Sequence, residues 1–191
     1  MPRHPRSPRV LSYFHVAGRH HPDGFRCCTP ADYRGWQHCI GGALAAQPLR
    51  LMAYCLLPIE WHLVVGPTDP LSVRHYLARV IRAHPVTAPC VTSVVTLEDI
   101  TTLVHTAREV ERQALSLGLV RRAQDWPWGS LAGRLDTTSP LPLVSAPFLE
   151  SRAWADFVNM PCPARRDSAD VPQHPRGFAG SLERRHHLGG L

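Results

Sequence analysis

The chain has 191 residues, of which 44% are hydrophobic, so it is long and apolar enough to bury the core of one domain. The first ten residues are rich in Pro and Arg with no apolar stretch behind them, and no apolar run approaches the length of a membrane span. These features argue against a secreted or membrane protein, and a cytoplasmic location is expected. The net charge of +6 comes entirely from arginine, which favours a polyanionic partner. The six cysteines form no C-x-x-C pair, so free thiols in a reducing compartment are expected rather than a zinc ribbon.

The first half of the chain predicts strand, helix, strand, strand. Residues 10–16 are rich in β-formers and predict the first strand. Thr29-Pro30-Ala31-Asp32 is a helix start, and apolar residues at helical spacing carry that helix over 30–46. Two apolar strands follow, over 49–57 and 60–66, separated by a turn at Pro58-Ile59.

The second half predicts helix, strand, helix and then a proline-rich end. A helix is expected at 70–84, a strand at 91–95 and a third helix from about 100 to 115 that begins behind a capping box, Thr96-x-x-Asp99. An arginine-rich loop with two tryptophans covers 120–134. Proline and turn residues dominate beyond it, with one short helical possibility at 149–159.

The order β-α-β-β-α-β-α predicts the α+β class, with a ferredoxin-like antiparallel sheet and helices packed on one face. The predicted domains are a basic arm at 1–9, one domain at 10–135, and a Pro-rich, mostly irregular tail at 136–191.

Several blocks of the sequence, in the same order, resemble the REP-associated tyrosine transposases, which are single-tyrosine HUH transposases. Residues 52–66, MAYCLLPIEWHLVVG, resemble the family segment A-Y-C-[LM]-M-P-N-H-[WV]-H-L-[LV]. Residues 108–129, REVERQALSLGLVRRAQDWPWG, resemble R-Y-V-E-R-N-[PA]-L-R-A-G-L-V-x-x-A-x-D-W-x-W-S. Residues 13–19, with Tyr13, His15 and Arg19, resemble the opening Y-H-V-x-x-R. The resemblance extends over about residues 10–180 and implies a protein that handles single-stranded or hairpin DNA.

The departures from this pattern fall on the chemistry. The family's metal-binding His-x-His aligns with Glu60-Trp61-His62, and its nucleophilic tyrosine aligns with Glu109. Its following Asn aligns with Gln113, and its basic strand aligns with the uncharged residues 90–94. The resemblance implies a metal-assisted tyrosine transesterification in DNA transposition, and the loss of Tyr at position 109 predicts that this catalysis is lost.

Strand alternation puts Glu60 and His62 on one face, and helical spacing makes Glu109 and Gln113 neighbours. Glu60, His62 and Gln113 are therefore candidate ligands for Mg²⁺ or Mn²⁺. The alternative is that they are a solvated turn residue, a satisfied sheet histidine and an exposed helix residue. Tyr76 is a candidate substitute nucleophile, with packing as the alternative.

DNA binding requires cations for phosphates and aromatic rings for bases. The candidate phosphate contacts are all arginines, at Arg74, Arg79, Arg82, Arg108, Arg112, Arg121 and Arg122. Trp126 and Trp128 either stack on bases or close an edge of the core. The expected function is a transposase-like DNA-binding protein, monomeric or homodimeric. An inert DNA-binding module and a relic without function are the alternatives.

Overall fold

The computed structural model describes residues 13–19, 27–47, 49–66, 70–83, 91–136, 139–146 and 148–161. The four strands are β1 (Tyr13–Arg19), β2 (Arg50–Leu56), β3 (Glu60–Gly66) and β4 (Val91–Leu97). The helices are α1 (Pro30–Ala46), α2 (Pro70–Ala83), α3 (Ile100–Ser116), α4 (Ser130–Leu135) and α5 (Arg152–Asn159), with one 3₁₀ turn at Ala123–Asp125. The predicted order of the first seven elements is confirmed.

The helix starts show how local sequence fixes these boundaries. Thr29 caps α1 by accepting a hydrogen bond from the Asp32 backbone N–H at 3.3 Å, and the Asp32 carboxylate accepts one from the Thr29 backbone N–H at 2.7 Å. α3 begins near residue 100, as predicted, but the predicted capping box Thr96-x-x-Asp99 is wrong. Asp99 caps it by accepting from the Thr102 N–H at 2.8 Å, while Thr96 belongs to β4.

The strands form one antiparallel sheet in the order β2-β3-β1-β4. This confirms the predicted α+β class with an antiparallel sheet. β1 runs on to Arg19, beyond the predicted end at residue 16, because its residues pair with β3 on one side and β4 on the other up to Arg19↔Glu60 and Arg19↔Val91. Residues 10–12 lie outside the described part of the chain.

The helices occupy both faces of the sheet rather than the single face predicted. One core joins α1 and α2 to one face, and a second core joins α3, α4 and α5 to the other. The signal was the run 51–57, in which every residue is buried. A strand that is apolar on both sides needs cover on both sides.

Residues 139–160 pack against the same unit. Val144 donates a backbone hydrogen bond to Leu51 at 2.8 Å, and Leu141, Leu149 and Trp154 are buried in the two cores. The described part of the first compact unit therefore runs from Tyr13 to Met160, whereas the sequence put the boundary at 135. The predicted arm at 1–9 and the tail beyond residue 161 lie outside the described residues. No helix in the described part of the chain combines the length and apolarity that a membrane span requires.

Candidate functional site

Glu60 and His62 lie on the sheet face that α3 covers. The two side chains alternate along β3 with Trp61 and Leu63, which enter the core under α1 and α2. Val64 shares the face of Glu60 and His62 and packs in the core with α3. The predicted split of β3 into two faces is therefore confirmed.

His62 is paired with a second histidine, His15, which the sequence reasoning had not selected. His15 Nε2 lies 3.2 Å from His62 Nδ1, and the two rings stack with centroids 5.4 Å apart. Burial lowers the pKa of His15 to about 4, with a further contribution from His62. Burial also lowers the pKa of His62, although the nearby Glu60 carboxylate opposes this shift. Burial thus favours the neutral form of both rings near pH 7.

Glu60 is held by Arg19, its cross-strand partner. The Arg19 guanidinium lies 3.0 Å from Glu60 Oε2, and the side chains are 68% and 18% exposed, respectively. The other carboxylate oxygen, Oε1, lies 3.8 Å from His62 Nε2. Arg19, Glu60 and His62 border an open groove of about 360 Å³ whose remaining lining is Ala17, Gly18 and Ser93. We call this the Arg19–His62 groove.

Glu109 and Gln113 lie on one flank of α3, and Glu111 lies on the other, as 100° per residue requires. The Glu111 flank faces α4, which lies along the outer edge of β2 through the Tyr54 N–H to Ser130 Oγ hydrogen bond of 3.0 Å. Glu109 lies on the other flank, where its side chain is 49% exposed. α3, which carries Glu109 and Gln113, covers the same sheet face as Glu60 and His62.

Glu60 and His62 suit a divalent ion only in part. Ligand distances of about 2.1 Å let two ligands of one ion lie roughly 4 Å apart, so a separation of 3.8 Å is compatible with a pair of ligands. Arg19 already pairs with the Glu60 carboxylate at 3.0 Å. Across the described ranges no group of three or more His, Cys, Asp and Glu side chains is arranged to hold a metal. The ion predicted at Glu60, His62 and Gln113 stays a prediction.

Tyr76 is not a substitute nucleophile. Its side chain is fully buried in the core beneath α1 and α2, on the sheet face opposite Glu60 and His62. Burial raises the pKa of its phenol above the ordinary tyrosine value. Because substrate cannot reach this hydroxyl, it cannot attack a phosphodiester. The alternative interpretation, that Tyr76 packs in the core, is the one the structure supports.

Two of the predicted DNA contacts, Arg108 and Arg112, instead secure α5. Arg108 donates to the carbonyls of Phe157 and Met160 at 2.9 and 2.6 Å, and Arg112 donates to that of Val158 at 2.7 Å. These acceptors are the orphan carbonyls at a helix C-terminus. Arg108 is also buried, so the prediction that it binds phosphate is wrong.

The other predicted arginines remain exposed but do not form one surface. Arg74, Arg79 and Arg82 lie on α2, where Arg79 and Arg82 border an open groove of about 580 Å³ with His75 and Gln47. This groove lies in the helix layer on the face opposite α3. Arg121 and Arg122 follow α3, and Arg122 pairs with Asp125 at 2.8 Å.

The two tryptophans of the 120–134 loop close an edge of the core. Trp126 Nε1 donates to the Leu56 carbonyl at 2.9 Å, and Trp128 stacks on Tyr33 with ring centroids 4.8 Å apart. The Trp128 carbonyl accepts from the Leu56 N–H at 3.0 Å. Both rings are thus committed to packing, in agreement with the second of the two readings.

Glu111 is an important structural residue that is not among the candidate residues predicted from the sequence. Its buried carboxylate accepts from Ser130 Oγ and Trp154 Nε1, both at 2.6 Å, and from Arg134 Nε at 3.5 Å. Burial raises the pKa of Glu111, and these three donors oppose the shift. Arg134 in turn donates to the carbonyls of Met52 and Val144. The available signal was spacing, because position 111 lies four residues after Ala107 and three before Ala114, among the core positions of α3.

Comparison with known proteins identifies a fold likeness. No protein-family model matches the chain, and no curated protein matches it. The chain is similar to a solved structure of a REP-associated tyrosine transposase bound to a REP hairpin, with 16% sequence identity and a TM-score of 0.54. The similarity covers 76% of this chain and 92% of that chain, so the two proteins share the fold over most of the transposase.

Proposed function

We propose that this protein is a transposase-like protein that binds single-stranded or hairpin DNA and does not cut it. The observation that carries the proposal is a layout on one sheet face. β3 presents Glu60 and His62 there, beneath a helix that presents Glu109 where the resemblance expects a tyrosine. The solved structure that shares the fold is bound to a DNA hairpin. The positive charge of the chain suits such a partner.

The tyrosines support the absence of cleavage. The chain has four. Tyr33, Tyr54 and Tyr76 are buried in the core under α1 and α2. Tyr13 lies at the opposite end of β1 from Arg19, about 20 Å along a strand of this length. None of the four phenols is available beside the Arg19–His62 groove.

Glu109 does not replace the missing nucleophile. A carboxylate attacking a phosphodiester would give a mixed anhydride, which water hydrolyses readily, and its negative charge repels the incoming phosphate. Glu109 is also paired with Arg108 at 3.0 Å. A phosphoryl-enzyme that could later rejoin DNA is therefore not expected.

A gel-shift experiment with a DNA hairpin carrying an unpaired 3′ or 5′ extension tests the proposal. We expect the protein to shift the hairpin more strongly than a blunt duplex of the same length, with affinity falling steeply as salt rises. With Mn²⁺ present, we expect no protein–DNA adduct that survives denaturing electrophoresis. An adduct would show an active enzyme. Failure to shift any DNA would instead favour the relic without function.

The α2 arginines provide a second prediction. Replacing Arg79 and Arg82 together with alanine is expected to lower hairpin affinity at low salt. It should also reduce the slope of log K against log [salt] by roughly 1.4 to 1.8, because two phosphate contacts are lost. Arg152→Ala, on the exposed start of α5, is the matched control and should leave the slope unchanged. An unchanged slope in the double variant would exclude α2 from the DNA-binding surface.

A further inference from the structure

Glu60 lies where an anion would bind. Its Oε2 is held by the Arg19 guanidinium at 3.0 Å, and its Oε1 points toward His62 Nε2 at 3.8 Å, beyond hydrogen-bond reach. The carboxylate is thus flanked by two nitrogen groups, one of them on a largely exposed side chain that can turn toward an external ligand.

His62 Nε2 is an unused polar atom at the groove. It is buried and makes no hydrogen bond within the described residues. Its tautomer follows from its neighbours: a lone pair on Nε2 would face the Glu60 carboxylate, whereas an N–H on Nε2 faces it favourably. His62 Nδ1 is then the acceptor in its 3.2 Å contact with His15, and His15 Nε2 is the donor. His62 therefore directs an N–H toward Glu60, at the wall of the Arg19–His62 groove.

This donor set favours an anion over a cation. A metal ion needs a lone pair on His62 Nε2 and a free carboxylate. In the tautomer inferred above Nε2 carries a proton, and the carboxylate is paired with Arg19. A guanidinium and an imidazole N–H side by side are instead suited to the oxygens of a phosphate group. Ser93, from β4, adds a hydroxyl to the lining of the same groove.

We propose that the Arg19–His62 groove binds a phosphodiester without a metal, with Arg19 and His62 as the donors and Glu60 as an internal anion that the phosphate displaces. The proposal rests on the proposed function only in taking DNA as the source of the phosphate. In this arrangement Glu60 weakens binding, which is the opposite of its effect if it were a metal ligand.

The test uses two probes, the DNA hairpin and a thymidine dinucleotide with one phosphodiester, and compares the wild-type protein with Glu60→Gln and Arg19→Gln. Dissociation constants are measured in EDTA and again with Mn²⁺. In EDTA, Glu60→Gln is expected to bind both probes on the order of tenfold more tightly, since the change removes a negative charge at the phosphate position. Arg19→Gln is expected to bind them on the order of tenfold more weakly. Mn²⁺ should not alter this order.

Two controls of equal charge change accompany the variants. Glu98→Gln and Arg152→Gln alter exposed side chains outside the groove and should leave both constants near the wild-type value. Inorganic phosphate is added as a competitor of the two probes. Competition by phosphate at the concentration of the dinucleotide would identify a free-phosphate site rather than one for DNA.

The outcomes separate this inference from the proposed function. Tighter dinucleotide binding by Glu60→Gln would support the groove, whether or not the hairpin is shifted. If the hairpin is not shifted, the proposed DNA-binding function is refuted while the groove inference stands. A shifted hairpin with Glu60→Gln binding equally or more weakly in EDTA would overturn the inference and leave the function standing. Binding of both probes that requires Mn²⁺ and is lost in Glu60→Gln would show that Glu60 is a metal ligand after all.

Discussion

Replacing Glu111 with alanine is expected to lower the free energy of unfolding by about 3–5 kcal/mol, the usual cost of removing one partner from a buried ion pair. The substitution leaves the Arg134 guanidinium buried without its counter-charge. It also leaves the Ser130 hydroxyl and the Trp154 indole N–H without their acceptor. Three elements, α3, α4 and α5, meet at this carboxylate, so urea unfolding should show the loss directly.

Glu109→Ala is the matched control, because it makes the same change two residues away on the same helix. Glu109 is 49% exposed and its partner Arg108 keeps two carbonyl acceptors, so this variant should lose less than about 1 kcal/mol. If both variants lost equally little, the buried network would contribute nothing to the fold.

The double variant Glu60→His with Glu109→Tyr is expected to bind Mn²⁺ well but to form little or no covalent adduct with hairpin DNA. The first change puts two imidazoles on one face of β3 and removes the carboxylate that neutralises Arg19. The second restores a phenol on the correct flank of α3. The strand that is basic in the family still carries no charged residue here, since β4 reads VTSVVTL.

Calorimetric titration with Mn²⁺ and denaturing electrophoresis of the DNA reaction measure the two effects separately. Glu60→His with Glu109→Phe is the control, because phenylalanine keeps the ring and lacks the hydroxyl. An adduct formed quickly by the tyrosine variant, and absent with phenylalanine, would contradict the expectation and show that the scaffold remains competent for cleavage.

The fold was largely predictable because its signals are local. Helix α1 follows from the Thr29 cap and from apolar residues at helical spacing, and β3 follows from strict alternation after a turn. The distribution of helices on two faces was not predicted. The local signal was the apolar run 51–57, which needs cover on both faces, but which helix covers which face depends on long-range packing.

The candidate site was predictable only in part. Alternation put Glu60 and His62 side by side, but nothing local joins them to His15 and Arg19, which are more than 40 residues away in sequence. The role of Arg108 and Arg112 in holding α5 was not predicted for a related reason. Arg108 and Arg112 look like a solvated helix face until α5, some 45 residues later, places its terminal carbonyls against them.

Positions that agree with the transposase motif and positions that differ from it have different roles in this molecule. Glu111 and Arg112 agree with the motif resembled and hold α4 and α5 in position, and Trp126 and Trp128 agree with it and close the core. The departures, Glu60 and Glu109, fall on the face where phosphate chemistry would occur. A resemblance carried by scaffold residues is thus good evidence for shared architecture and weak evidence for shared reactivity.

The position of β4 at the end of the sheet affects how the protein behaves in concentrated solution. Within the described residues, its outer edge pairs with no other strand, and Val94 and Val95 are 46% and 53% exposed. The strand lacks proline, glycine and charged side chains, which are the usual devices that prevent edge-to-edge association. A seven-residue strand of this composition resembles the segments that stack into fibrils. We therefore expect the folded protein to aggregate through the edge of β4 before its core unfolds.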